Sequence, residues 1–146
     1  MSCESPEFMG ESLKGYQMDL EKCKYITGIK EFLLAFPDKP LYYFQDMLEF
    51  RRYIRFDYEE WGEKTYIDLV MADETRRDGI VLHCVDAWMD GRCEIQTYIG
   101  GLDIIYLKDS GYEGKYRITD FEENNMNIYC NDLEIRVIDP GEYMYS

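Results

Sequence analysis

Residues 102–138 read LDIIYLKDSGYEGKYRITDFEENNMNIYCNDLEIRVI, and this stretch decides the fold. Leu102, Ile104 and Tyr106 alternate with Asp103 and Ile105. Tyr116 and Ile118 alternate with Arg117 and Thr119. Met126, Ile128 and Cys130 alternate with Asn127 and Tyr129, and Leu133, Ile135 and Val137 alternate with Glu134 and Arg136. A period of two places one set of side chains on each face of a pleated sheet. The breaks carry Gly, Asn and Asp, the residues of tight turns. Four consecutive strands are predicted, with Ile104, Tyr116, Ile118, Ile128, Cys130, Ile135 and Val137 on the buried face.

Working outward, Gly100-Gly101 turns the chain into this stretch, and residues 93–99 are a further candidate strand. IVLHCV (80–85) is almost continuously apolar, as in a central strand covered on both faces. DAWMDGR (86–92) is expected to be a loop, YIDLVMA (66–72) a strand and DETRRDG (73–79) a polar turn. EEWGEK (59–64) is another turn. Leu48, Phe50, Ile54, Phe56 and Tyr58 mark a long strand, with a break in register near Arg51-Arg52 that reads as a bulge. Ile29, Phe32, Leu33 and Phe36 fall at i, i+3, i+4 and i+7, one helical stripe. Thr27 is placed to cap its start, and Pro37 and Pro40 stop it. KGYQMDLE (14–21) alternates as a short first strand. The expected fold is mainly β: an antiparallel β-sandwich or open barrel/meander of about 7–9 strands with one short N-terminal α-helix. Residues 1–10 are set aside as a flexible or vector-derived N-terminus, and residues 11–146 form a single β-rich domain.

A chain of 146 residues with 46% apolar and 16% aromatic content builds a core without metal or disulfide support. No apolar run approaches the roughly 18 residues of a membrane span, and the acidic N-terminus lacks the apolar region of a signal peptide. The cysteines, Cys3, Cys23, Cys84, Cys93 and Cys130, are odd in number and widely spaced. That spacing argues for reduced thiols and a cytoplasmic location. Thirty acidic residues against sixteen basic ones give a net charge of −14. Such a surface repels nucleic acid and anionic membranes and attracts basic proteins. The plainer reading of the charge is solubility.

Chemistry is poorly represented. The sole histidine, His83, adjoins Cys84, and adjacent strand residues point to opposite faces, so the two do not pair. No Cys/His spacing suits zinc, and no Asp-rich loop suits calcium, so no metal or cofactor is expected. Gly111 to Gly114 lacks the Lys-Ser/Thr ending of a phosphate loop. The chain is therefore expected to be non-enzymatic. A small ligand- or carbohydrate-binding β-domain, or a carboxylate-dependent hydrolase, is the alternative, since carboxylate pairs assemble only in the fold.

In a meander, alternate turns share one end of the sheet. The turns at 59–64, 86–92 and 109–114 then gather Glu59, Glu60, Trp61, Glu63, Asp86, Trp88, Asp90, Asp109, Tyr112 and Glu113, including both tryptophans. An acidic rim around aromatic anchors is what a binder of a basic protein presents. The competing expectation is that Trp61 and Trp88 fold back over the ends of the sandwich.

Over residues 40–138 the chain resembles a family of small acidic β-rich immunity proteins of bacterial polymorphic-toxin systems. Phe44-Gln45-Asp46-Met47 stands where that family has an aromatic-His-Asp segment, with Gln45 in place of the histidine. Leu82-His83-Cys84-Val85 is similar to its apolar strand. Ile128-Tyr129-Cys130, followed by Leu133, Ile135 and Val137, is similar to its closing strands. The resemblance implies a non-enzymatic inhibitor that occludes the active site of one cognate basic toxin, often a nuclease.

Overall fold

The computed structural model describes residues 23–91, 93–107, 115–123 and 126–145. The strand expected at 14–21, the N-terminal ten residues and the turn at 109–114 lie outside these residues. Helix α1 (Ile29–Ala35) and a 3-10 turn (Leu41–Tyr43) precede β1 (Asp46–Asp57), β2 (Gly62–Ala72), β3 (Gly79–Val85) and β4 (Trp88–Met89). There follow β5 (Leu102–Tyr106), β6 (Tyr116–Asp120), β7 (Asn127–Cys130), β8 (Asp132–Ile138) and α2 (Pro140–Tyr145). Two four-stranded antiparallel sheets result, in the orders β1-β2-β3-β8 and β4-β7-β6-β5. One apolar core joins them, so the fold is the expected mainly-β sandwich.

All four strands predicted in 102–138 form, but they do not share a sheet. β5, β6 and β7 lie side by side. Asn131 then turns the chain, its N–H bonded to the Val85 carbonyl at 3.1 Å, and β8 crosses to pair with β3. Ile104, Tyr116, Ile118, Ile128, Cys130 and Ile135 are buried, whereas Val137 is exposed beyond the shelter of the second sheet. The facing layer is Ile67, Leu69, Met71, Ile80 and Leu82, all fully buried. Each such side chain contributes about 2 kcal/mol by leaving water. Phe32, Phe36 and Phe44 close one end with rings 5.1–6.0 Å apart. Phe44 thus fills the core, while Tyr43 beside it stays exposed. Hydrogen bonding to Cys130 and burial push the Cys84 thiol well above its ordinary value, so it behaves as an inert core residue.

Several local expectations differ from the structure. Residues 93–99 are not a strand. Met47 N–H to Thr97 C=O (2.9 Å) and Ile99 N–H to Gln45 C=O (2.8 Å) lay them beside the start of β1 through one bridge. Residues 86–92 contain the short β4. The bulge lies between Met47 and Glu49, not at Arg51-Arg52. The β1–β2 turn is tighter than 59–64, because Gly62, Glu63 and Lys64 already pair in β2. Thr27 does not cap α1. It bridges Glu134, with Ile135 N–H bonded to its carbonyl at 2.8 Å. Gly28 takes the cap position at φ 85°, where a side chain would strike the Ile135 carbonyl. Ile29 and Phe32 are buried on the expected stripe. The C-terminal α2 has no counterpart in the apolar periodicity.

Candidate functional site

The β1–β2 hairpin is longer than the rest of its sheet. β2 pairs with β1 from Gly62 to Ala72, but with β3 only from Tyr66 to Ala72. The last link to the body is the Ala87 N–H on the Thr65 carbonyl at 2.9 Å. Residues 54–57 and 62–65 therefore extend past β3 as a two-stranded ribbon, by roughly 13 Å at 3.3 Å per residue.

Register decides which face of the ribbon is apolar. Arg52 lies across from the buried Ile67, Ile54 across from Thr65, and Phe56 across from Glu63. These residues continue the core side of the sheet. β3 does not reach them, and the core side of the ribbon is exposed there. Ile54 is 45%, Phe56 43%, Tyr58 78% and Trp61 75% exposed. The Phe56, Tyr58 and Trp61 rings touch one another edge to face, with centroids 4.8–6.3 Å apart.

The tip is rigidly built. Asp57 accepts the Glu59 and Glu60 N–H groups at 2.8 and 3.2 Å and pairs with Lys64 at 3.1 Å. The Lys64 ammonium and these two N–H groups hold the Asp57 carboxyl below its usual value, and the carboxylates of Asp57 and Glu60 raise Lys64. Trp61 sits at φ 55°, a left-handed conformation that a bulky side chain rarely adopts. No ion pair neutralises Glu59 or Glu63 among the described residues.

The root of the hairpin is locked on its other face. Asp68 is buried there and accepts three donors: His83 Nδ1 at 2.6 Å, the Tyr53 hydroxyl at 2.9 Å and an Arg51 nitrogen at 3.1 Å. A carboxylate only accepts, so the His83 Nδ1 carries the proton. Tyr66 stacks between Tyr53 (5.4 Å) and His83 (5.6 Å). Burial raises the Asp68 carboxyl, but the hydrogen bonds from His83, Tyr53 and Arg51 outweigh it and leave a net lowering. Beyond His83 lies a groove of about 370 Å³ bordered by Thr27, Asp132 and Glu134. Because Asp68 of β2 accepts from groups on β1 and β3, the array acts as a clamp across three strands.

Of the residues singled out in the sequence, Glu59, Glu60, Trp61 and Glu63 come together on this tip. Asp86 is half-buried at φ 58° and accepts from Asn131 at 3.2 Å. Trp88 opens β4 and stacks on Tyr129 at 5.6 Å in the other sheet, and Asp90 is exposed just after it. Asp109, Tyr112 and Glu113 lie outside the described residues. β1, β2 and β3 are consecutive antiparallel neighbours, so the 59–64 turn and the chain leaving β3 lie at one end of their sheet, whereas β4 pairs with β7 in the other sheet. The sequence alone does not single out Ile54, Phe56, Tyr58 or Arg52 as site residues. The aromatic spacing Phe56-x-Tyr58-x-x-Trp61 around one turn was the available signal. Asp68 was the single acid in an apolar strand, and only the strand register pairs it with His83.

Among the described residues no cluster of His, Cys, Asp and Glu side chains is placed to hold a metal ion, and no helix is long and apolar enough to cross a membrane. Comparison with protein-family models, with curated proteins and with solved structures finds no match.

Proposed function

We propose that this chain is a non-enzymatic binding protein that captures a basic protein through the β1–β2 hairpin. In its most concrete form it is a bacterial immunity protein whose hairpin occludes the active site of a cognate toxin in the cytoplasm. The observation that carries the reading is the uncovered core side of the ribbon. Ile54, Phe56 and Trp61 form an apolar strip where a monomer has every reason to bury one, and Glu59 and Glu63 border it. Tryptophan and tyrosine anchors surrounded by charge are the make-up of interface hot spots. The net charge of −14 supplies long-range attraction to a cation-rich surface. A ribbon held by Asp57 and the Asp68 clamp loses little conformational freedom on binding, which raises affinity. The convex, protruding shape suits a cleft, such as the active site of a nuclease.

The test is a binding measurement between the full chain and the protein encoded beside its gene. Binding that slows with rising ionic strength is expected, and Trp61→Ala should weaken it by about thirtyfold, the size of a 2 kcal/mol hot spot. The reading is abandoned if the wild-type chain does not bind that protein, or if Trp61→Ala binds as well as wild type.

A further inference from the structure

The uncovered face has a charge order that simple attraction between an acidic and a basic protein does not explain. From root to tip it presents Arg52, then Ile54, then Phe56 with Glu63 across from it, then Trp61. The other two arginines of β1 are on the opposite face and are committed. Arg51 bonds Asp68, and Arg55 lies over the Tyr53 ring at 4.8 Å and donates to the Ile54 carbonyl at 3.0 Å. Arg52 is exposed and makes no ion pair among the described residues. It is the one arginine of β1 on the apolar side of the ribbon.

We infer that Arg52 is a specificity-determining residue that meets a carboxylate of the partner. The inference rests on the proposed binding function and deepens it. The partner's contact runs from an acidic group at the root of the ribbon, through an apolar middle, to cationic groups around Trp61, Glu59 and Glu63. A partner surface that was basic throughout would bury Arg52 against like charge, which is strongly unfavourable in a desolvated contact. A single oppositely charged position also fixes direction. A partner element docked the other way round sets cation against Arg52 and carboxylate against Glu63, so the wrong orientation is repelled. A second copy of this chain is a poorer occupant. Each copy carries a charge of −14, so two copies repel one another.

The same assay, with the full chain and the protein encoded beside its gene, separates the two ideas. Arg52→Glu makes the chain more negative, so bulk attraction to a basic partner predicts tighter binding. A carboxylate facing Arg52 predicts the opposite, a loss of roughly tenfold or more, with Arg52→Lys retaining most of the affinity. A thermal melt of Arg52→Glu checks the fold, which should be unaffected because the side chain is exposed and unpaired. Unchanged or tighter binding by Arg52→Glu overturns the inference and leaves the binding function standing. Equal binding by Trp61→Ala removes the binding function itself. Sedimentation showing a dimer that Arg52→Glu dissociates would assign the face to self-association and overturn the inference too.

Discussion

At the scale of single residues, two buried carboxyl groups are driven in opposite directions by their surroundings. Asp68 lies below its ordinary value of 3.8 because three donors outweigh its burial. A depressed carboxyl stabilises the fold above the unfolded value, and that contribution is lost as pH falls through the folded value. Asp68→Asn should therefore cost about 3 kcal/mol at neutral pH, because it leaves Arg51 and His83 without their charged partner. The gap between wild type and variant should close on acidification below the ordinary carboxylate range. Denaturant unfolding across pH measures this, and a gap that widens in acid contradicts it. Asp103 lies on the outer side of β5, almost wholly buried. Burial pushes its carboxyl up to about 7 against the pull of the Ile104 N–H (2.9 Å) and of Arg117. For a raised carboxyl the sign reverses: stability is complete below 3.8 and declines as pH rises toward about 7. Asp103→Asn keeps the acceptor for Ile104, so it should be more stable than wild type at neutral pH and lack that decline. The same titration of unfolding checks it.

At the scale of elements, strand length separates the scaffold from the proposed point of contact. β1 and β2 run on for four residues after β3 has ended, and nothing in the core depends on their tips. Replacing residues 58–61 with Asn-Gly gives the ribbon a two-residue turn whose twist suits antiparallel strands. It also removes Trp61 from its left-handed conformation, a strain of about 1 kcal/mol. Unfolding free energy should stay within about 1 kcal/mol of wild type, while binding to a basic partner is lost. A large fall in the melting temperature would show instead that the aromatic tip is part of the scaffold. The Asp68 clamp belongs to this scale as well. It ties β1, β2 and β3 together at the line where the ribbon leaves the body, so the tip is presented by a fixed base.

At the scale of the whole molecule, most of the strands and the sidedness of the core were legible in the sequence. Alternation is local, and a period of two in 102–138 marks buried and exposed faces whichever sheet a strand later joins. The charge of −14 also needs no coordinates. Within the site, Glu59, Glu60, Trp61 and Glu63 were found from one turn because they are neighbours in the chain. Their aromatic companions Phe56 and Tyr58 look like ordinary strand residues in the sequence, since alternation alone marks Phe56 as core. Asp68 and His83 are fifteen positions apart and meet only through the β2–β3 register. The tertiary structure alone decided that β8 leaves β7 for the other sheet, that Trp88 stacks on Tyr129 in the sheet β8 leaves, and that β1 and β2 run past the end of β3 and leave Ile54 and Phe56 exposed. These outcomes depend on which strands pair and on how far each extends past its neighbour. Pairing and extent are long-range balances of burial against chain entropy, whereas the alternation that makes a strand is written residue by residue.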